Sequence, residues 1–206
     1  MGNPLHIAST AVSAALIFLG LLPVVIVIWG IVTYNRFIRQ RNQLREGWSG
    51  IDVQLKRRHD LVPALVETVK GIRDHESEIL EAVVRERNEA RGATNASTAN
   101  GPETALSRDL GKVIALAESY PEIRSNEHFL RLMRDLVEIE ETLQYSRRYY
   151  NGSVRDWNNR VEGFPSQLIA RICRFTPAGF FEVDNASERL PPSIARQMSG
   201  DSSASA

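Results

Sequence analysis

Apolar residues are distributed along this chain in two ways, one continuous and one periodic. From Ala11 to Val32 no charged residue interrupts the apolar run. At about 20 residues this is the length a helix needs to cross roughly 30 Å of hydrocarbon. From Leu44 onward the pattern turns periodic: Leu44, Trp48, Ile51, Leu55, Val62, Leu65, Val69, Ile72, Ile79 and Val83 follow alternating steps of four and three, with Arg58 and Glu76 in two gaps. Leu61, Val66, Leu80 and Val84 widen this stripe beyond a two-stranded seam, toward the face of a bundle helix. If the helix continues from the span to Arg91, it projects about 90 Å at 1.5 Å per residue, a stalk-like object.

Breaks in the pattern divide the rest. GATNASTANGPE, residues 92–103, is small and polar with two glycines, so a loop is expected, with Pro102 at the first position of the next helix and Glu103 in its first turn. That second helix runs through Leu106, Leu110, Val113 and Ala117 and ends before Pro121. A third, capped by Ser125 or Asn126, carries Phe129, Leu132, Leu136, Ile139, Leu143, Tyr150, Trp157 and Val161 until Gly163 and Pro165 stop it. A short helical piece, SQLIARIC, and the stretch FTPAGFFEV follow, with three phenylalanines that want burial. No alternating Val/Ile/Thr-rich run predicts a strand.

The expected fold is therefore all-α: a single N-terminal transmembrane helix followed by an elongated up-and-down antiparallel helical bundle. The expected parts are a short external tail (1–10), the span (11–32), the cytoplasmic bundle (33–183) and a disordered polar tail (184–206). The second helix, about 19 residues, is too short to cover Leu44, Trp48, Ile51 and Leu55. Either the third helix or a neighbouring chain must cover them, and an exposed stripe of that size is a motive for self-association.

Charge changes this picture only locally. Lys plus Arg equals Asp plus Glu at 25 each, which argues against nucleic acid as a partner. Trp29 and Tyr34 stand at the far end of the span as interfacial anchors. Arg36, Arg39, Arg41 and Arg45 follow before the first acid, Glu46. The positive-inside rule then puts the N-terminus outside and the bundle in the cytoplasm. A cleaved signal peptide is disfavoured, because the first ten residues hold no Lys or Arg and no small-x-small cleavage site is evident. Cys173 is the one cysteine, which rules out an intrachain disulfide or a cysteine-built metal cluster, and its apolar setting fits a packed side chain better than a nucleophile.

Candidate chemistry is sparse. His75-Glu76 begins like a metalloprotease HExxH, but Ile79 stands where the second ligand belongs. Phosphate-binding glycine loops and serine-nucleophile motifs are missing, and neither cofactor nor metal is expected. What remains is the block Lys56, Arg57, Arg58, His59, Asp60, with Pro63 just beyond. Asp52–Lys56 and Lys56–Asp60 are spaced i,i+4 as solvated pairs. Pro63 cannot donate to the His59 carbonyl, so a bend without a complete break is expected. Arg58 lies on the inward stripe and needs a carboxylate, for which Glu67, Glu138, Glu140 and Glu141 are candidates. The block is expected to be a polar layer that fixes helix register, not a catalytic centre.

The run EGWSGIDVQLKRRHDLVPALVETVKG, then HE, LAESYPEIRSNEHFLRL, RRYYNGSVRDWNNRVEGFPSQLIA and FFEV, resembles the LemA family over about residues 33–183. Departures are mild: Gly47 replaces a common Ala, and Tyr149 and Trp157 replace other aromatics. The resemblance implies a bacterial inner-membrane protein with one N-terminal span and a cytoplasmic helical bundle. It implies no catalytic residues, and links to membrane proteostasis, including HtpX-type metalloproteases, and to magnetosome membranes. Within these motifs Trp48, Asp52, Lys56, Arg57, Arg58, His59, Asp60, Pro63, Glu67, Arg147, Arg148, Asn151, Arg155 and Asp156 are the expected structural or interaction residues. Trp29, Tyr34, Arg36, Arg39 and Arg41 are the expected membrane-interface set. The expected partners are a second copy of the chain, other membrane proteins such as an HtpX-type protease, and the lipid bilayer. The functional expectation is a non-enzymatic scaffold or adaptor, with a lipid-sensing or membrane-remodelling protein, or an unrecognised metal-dependent enzyme, as alternatives.

Overall fold

The computed structural model describes residues 4–70 and 77–182. Among them every regular element is helical: α1 (Pro4–Lys70), α2 (Ser77–Ala90), α3 (Ala96–Glu118), α4 (Pro121–Arg124), α5 (Glu127–Glu162) and α6 (Gln167–Ile172). Ile72, His75, Glu76 and the polar tail 184–206 lie outside the described residues. The chain divides into two compact units. One comprises residues up to Gln43 with Arg155–Ala178, and the other Leu44–Val154 with the residues from Gly179.

The second unit is a bundle whose directions follow from its contacts. Gly47 of α1 lies against Tyr149 and Tyr150 of α5, and Gly50 against Ser146. Further along α1, Arg58 meets Glu140, and Leu65 shares a small apolar space with Leu132 and Leu136. Residue numbers rise on α1 as they fall on α5, so the two helices are antiparallel. Glu103 and Ser107 of α3 face Arg58, and Leu110 faces the level of Leu65, so α3 runs with α1. Arg87 of α2 reaches back to His59, while Leu80 and Val84 sit beside Val66 and Lys70. The order is up-down-up-down. The core is the joint product of the periodic stripes, with Val62, Leu65, Val69, Leu80, Val83, Leu106, Leu110, Val113 and Ile114 all buried.

Two expectations are corrected here, and one open alternative is decided. A single helix does not continue to Arg91: α2 turns back along α1, so the in-phase step from Ile72 to Ile79 conceals a reversal of direction. Residues 92–103 are not all loop. Asn95 caps α3 in a reciprocal box, its Oδ1 accepting the Thr98 N–H while Thr98 Oγ1 accepts the Asn95 N–H. Two orphan donors are thereby satisfied, and the helix starts a full turn before Pro102, which lies inside it. Of the two covers expected for the Leu44–Leu55 stripe, the third helix, α5, supplies it. Ile51 and Leu55 are buried, and Trp48 packs edge-on against Tyr150 and Phe181, with centroids 5.7 and 5.8 Å away. Gly47 makes this possible, because a Cβ there would stand 3.2 Å from the Tyr150 Cα.

Asn126 caps α5, accepting from the His128 and Phe129 N–H groups at 2.8 and 3.1 Å. In the first unit α6 ends in a Schellman turn: the Phe175 N–H bonds the Ala170 carbonyl at 2.9 Å, with Arg174 at φ 56° where glycine is usual. Phe175 is thereby delivered onto Phe37, 4.9 Å between centroids, and against Trp157 at 5.5 Å. Of the three phenylalanines expected to be buried, Phe181 is fully so, Phe175 is half-buried and Phe180 is exposed.

Among the described residues α1 is the one helix long and apolar enough to cross a membrane, and only 11% of its apolar window is buried, unlike a soluble core helix. From Leu21 to Ile28 every residue is exposed.

Candidate functional site

The most concentrated chemistry in the bundle is a charged layer on α1, α3 and α5. Arg58 is wholly buried. Its Nη1 donates to Glu140 Oε1 at 2.8 Å and to Ser107 Oγ at 3.0 Å, and its Nη2 to the Glu103 carboxylate and, at 3.3 Å, the Glu103 carbonyl. His59 Nε2 stands 2.8 Å from Glu103 Oε1. Because an ionised carboxylate only accepts, the imidazole must carry its proton on Nε2. Among the described residues, the buried Arg58 Nε and Glu140 Oε2 have no hydrogen-bond partner.

The ionisation states follow from competition between burial and charge. Burial alone would lower the Arg58 pKa, but the Glu140 and Glu103 carboxyls outweigh it and hold it above its ordinary value. Burial would raise Glu103, yet the His59 hydrogen bond and the Arg58 charge win and hold it below 4.5. The folded protein thus binds fewer protons at Glu103 than the unfolded chain, and stability rises with pH there. This contribution is complete above 4.5 and is lost as pH falls through the depressed folded value. Denaturation midpoints from about pH 7 to about pH 3 should fall more steeply for the wild type than for Glu103→Gln. Parallel curves would show that Glu103 is not the responsible group.

His59 and Glu103 also form part of the wall of a recess of about 270 Å³, with Trp48, Asp52, Lys56 and Asp60 around it. Lys56 is bound to Asp52 at 2.7 Å across exposed surface, and Asp60 is exposed. The Glu103–His59 pair can orient an imidazole, but the hydroxyl of the layer, Ser107, is bonded to Arg58 and not to His59. Among the described residues no three His, Cys, Asp or Glu side chains are grouped to hold a metal ion.

The other sequence-predicted residues are more dispersed. Arg57 is exposed, near Gln54 and, at 3.8 Å, Glu138. Glu67, Arg155 and Asp156 are exposed, Arg147 is half-buried, and the Arg148 guanidinium lies over the Tyr145 ring at 4.8 Å. α1 continues through Pro63, and the His59 carbonyl that the proline leaves free accepts from Arg87 Nε at 3.0 Å. In the first unit Trp29 and Arg41 are half-buried, Arg36 and Arg39 are exposed, and Tyr34 stacks on Phe175 at 6.3 Å.

Sequence reasoning missed Glu103, Ser107 and Arg87. The stripe Leu106–Leu110–Val113 extended back one turn reaches Glu103, a signal that the assumed loop obscured. Asn151 is among the expected residues, but the clamp it forms, and Asn100 and Asn158, were missed. Asn151 donates to the Phe181 carbonyl at 3.0 Å and accepts the Phe181 N–H at 2.9 Å, while Asn100 takes the Phe180 carbonyl and Glu182 N–H at 3.1 and 3.0 Å. In an extended chain residue 181 bonds to one side and its neighbours to the other, so both edges of this strap are occupied. Gly179 passes so close to α3 that a Cβ would stand 2.6 Å from Ser97 Oγ. In the first unit Asn158 holds both polar groups of Ala178 in the same way, and Trp157 Nε1 donates to the Thr176 carbonyl.

The LemA family profile matches residues 47–195, a stretch that contains the charged layer, the asparagines and the strap. The chain belongs to the LemA family. It is also similar to the magnetosome proteins MamQ 2 and MamQ 1 of Paramagnetospirillum magneticum (strain ATCC 700264 / AMB-1), each 28% identical over 88 residues, 43% of this chain and 32% of the relative. A third relative, magnetosome protein MamQ of Magnetospirillum gryphiswaldense (strain DSM 6361 / JCM 21280 / NBRC 15271 / MSR-1), is 24% identical over 100 residues, 48% of this chain and 37% of the relative. The chain thus spans about a third of the length of the curated relatives it matches. Family, relatives and the apolar part of α1 together point to membrane association.

Proposed function

We propose that this LemA-family chain is a non-enzymatic, single-pass membrane scaffold or adaptor. Its N-terminus lies outside a bacterial inner membrane, and its bundle is presented to partner proteins in the cytoplasm. The observation that carries this reading is the charged layer: Arg58, Glu103, Glu140, Ser107 and His59 direct their polar groups at one another. Such a layer fixes how three helices register and leaves the outer faces for recognition. Self-association no longer draws support from the Leu44–Leu55 stripe, which α5 covers. It draws support instead from Tyr145 and Tyr149, 73% and 52% exposed at i,i+4 on α5. An HtpX-type protease is a partner of the kind proposed.

Crosslinking of the full chain in native membranes, followed by identification of the attached proteins, tests the adaptor reading. Adducts with a recurring membrane protein and with a second copy are expected, and these should weaken for Tyr145→Ala/Tyr149→Ala. Recovery of uncrosslinked chain alone would overturn it. The same protein in detergent should show no thermal stabilisation on adding Zn²⁺ or Mn²⁺, whereas a rise in Tm would favour a metal-dependent enzyme at the His59 recess. Arg36 and Arg39, exposed just beyond the apolar run, favour a second reading, lipid sensing through anionic headgroups. Vesicle binding that ignores both anionic lipid and salt would remove it.

A further inference from the structure

We propose that α6 and the turn before it form a second membrane contact, a short monotopic segment lying in the bilayer interface beside the span. This rests on α1 crossing the membrane and goes beyond it. Phe164, Leu168 and Ile172 are 84%, 51% and 77% exposed, spaced four residues apart along one short segment. Three large apolar side chains so placed are a cost in water and an asset at an acyl boundary.

The depth of the segment identifies what covers it. Ile169, between the exposed Leu168 and the buried Ala170, stands 3.9 Å from where a Cβ on Gly30 would be, so α6 packs on the apolar run of α1 itself. Exposure along α1 agrees: Leu21–Ile28 are bare, and partial cover begins at Trp29 and Gly30. Gly30 precedes Arg36, the first Lys or Arg of the chain, by six positions. At 1.5 Å per residue it lies about 9 Å deeper along the helix axis, within the depth of an interfacial segment. Arg171 and Arg174 are exposed on the same short segment, where guanidinium groups can reach lipid phosphates.

The segment is held, not loose. Ser166 Oγ donates to the Arg160 and Gly163 carbonyls at 2.7 and 2.9 Å at its start. The Schellman turn and the Phe175 contacts with Phe37 and Trp157 fix its end. Phe164, Leu168 and Ile172 are therefore presented in a fixed arrangement.

The test uses the full chain carrying Cys173→Ala, with an environment-sensitive fluorophore on a single new cysteine, reconstituted in phosphatidylcholine–phosphatidylglycerol vesicles. A label at Leu168→Cys should resist iodide, and nitroxide lipids labelled near the headgroup should quench it about twofold more than those labelled near the bilayer centre. A label at Lys112→Cys, on the exposed side of α3, should be open to iodide, and one at Leu22→Cys should be quenched best by the deep nitroxide. Leu168→Cys as open to iodide as Lys112→Cys, with Leu22→Cys still deeply quenched, overturns the interfacial contact and leaves the span intact. Protection from iodide without nitroxide quenching also overturns it and assigns the face to a second copy. Loss of deep quenching at Leu22→Cys overturns span and contact together.

Discussion

Arg58→Met is expected to destabilise the bundle by about 3–5 kcal/mol, the range for removing one partner of a buried ion pair. The loss is large because of what stays behind: Glu103 and Glu140 are both buried and would face each other without their shared cation. Replacing all three, Arg58→Met/Glu103→Gln/Glu140→Leu, removes the uncompensated charge and should recover most of that stability, since a well-packed apolar substitute for a buried charged group is often neutral or better. The amide introduced by Glu103→Gln keeps an oxygen for His59 and spares that hydrogen bond. Urea denaturation of the full chain in detergent, followed by far-UV circular dichroism, measures both. If the single and triple variants agree within about 0.5 kcal/mol, the layer is not an energetically coupled unit. If the triple variant is stable but loses its crosslinks in membranes, the layer serves register more than stability, which is the role proposed for it.

How much of this was legible in the sequence depends on whether the signal was local. The uninterrupted run before Val32, the Asn126 cap and the stop at Gly163 are local: the run lies within α1, which starts earlier, at Pro4, and α5 starts and stops where its signals put it. Arg58 on the inward stripe was legible too, as was its need for a carboxylate. Glu140, 82 residues away, is one of four candidates that the residues alone do not rank, and Glu103, 45 residues away, is not among them, because only packing brings it to Arg58. Hydrophobic period reports which face of a helix is buried but carries no sense of direction, so α2 looked like more of α1. Pro102 was weighted as a helix start when the Asn95–Thr98 box one turn earlier outranked it. The strap left no periodic trace, since its backbone is satisfied by side chains of distant asparagines and not by a neighbouring strand.

Those asparagines carry the second large expected effect. Asn151→Ala should free the strap at Phe181, because both polar backbone groups of a fully buried residue lose their partner at once. Each buried group left unsatisfied costs about 1–3 kcal/mol, enough to offset much of what burying one phenylalanine contributes. Asn100→Ala removes an equivalent pair of bonds on the opposite edge, but those are exposed, so water replaces them and the effect should be a fraction as large. Limited chymotrypsin digestion of the full chain gives the comparison, with cleavage after Phe180 or Phe181 as the readout. Asn151→Ala should be cut there about tenfold faster than the wild type, following the larger open population, and Asn100→Ala only slightly faster. Equal rates for both variants would mean that the two edges bear the same load and that burial of Phe181 alone holds the strap. In that event Phe181→Ala, with Asn151 intact, should release it instead.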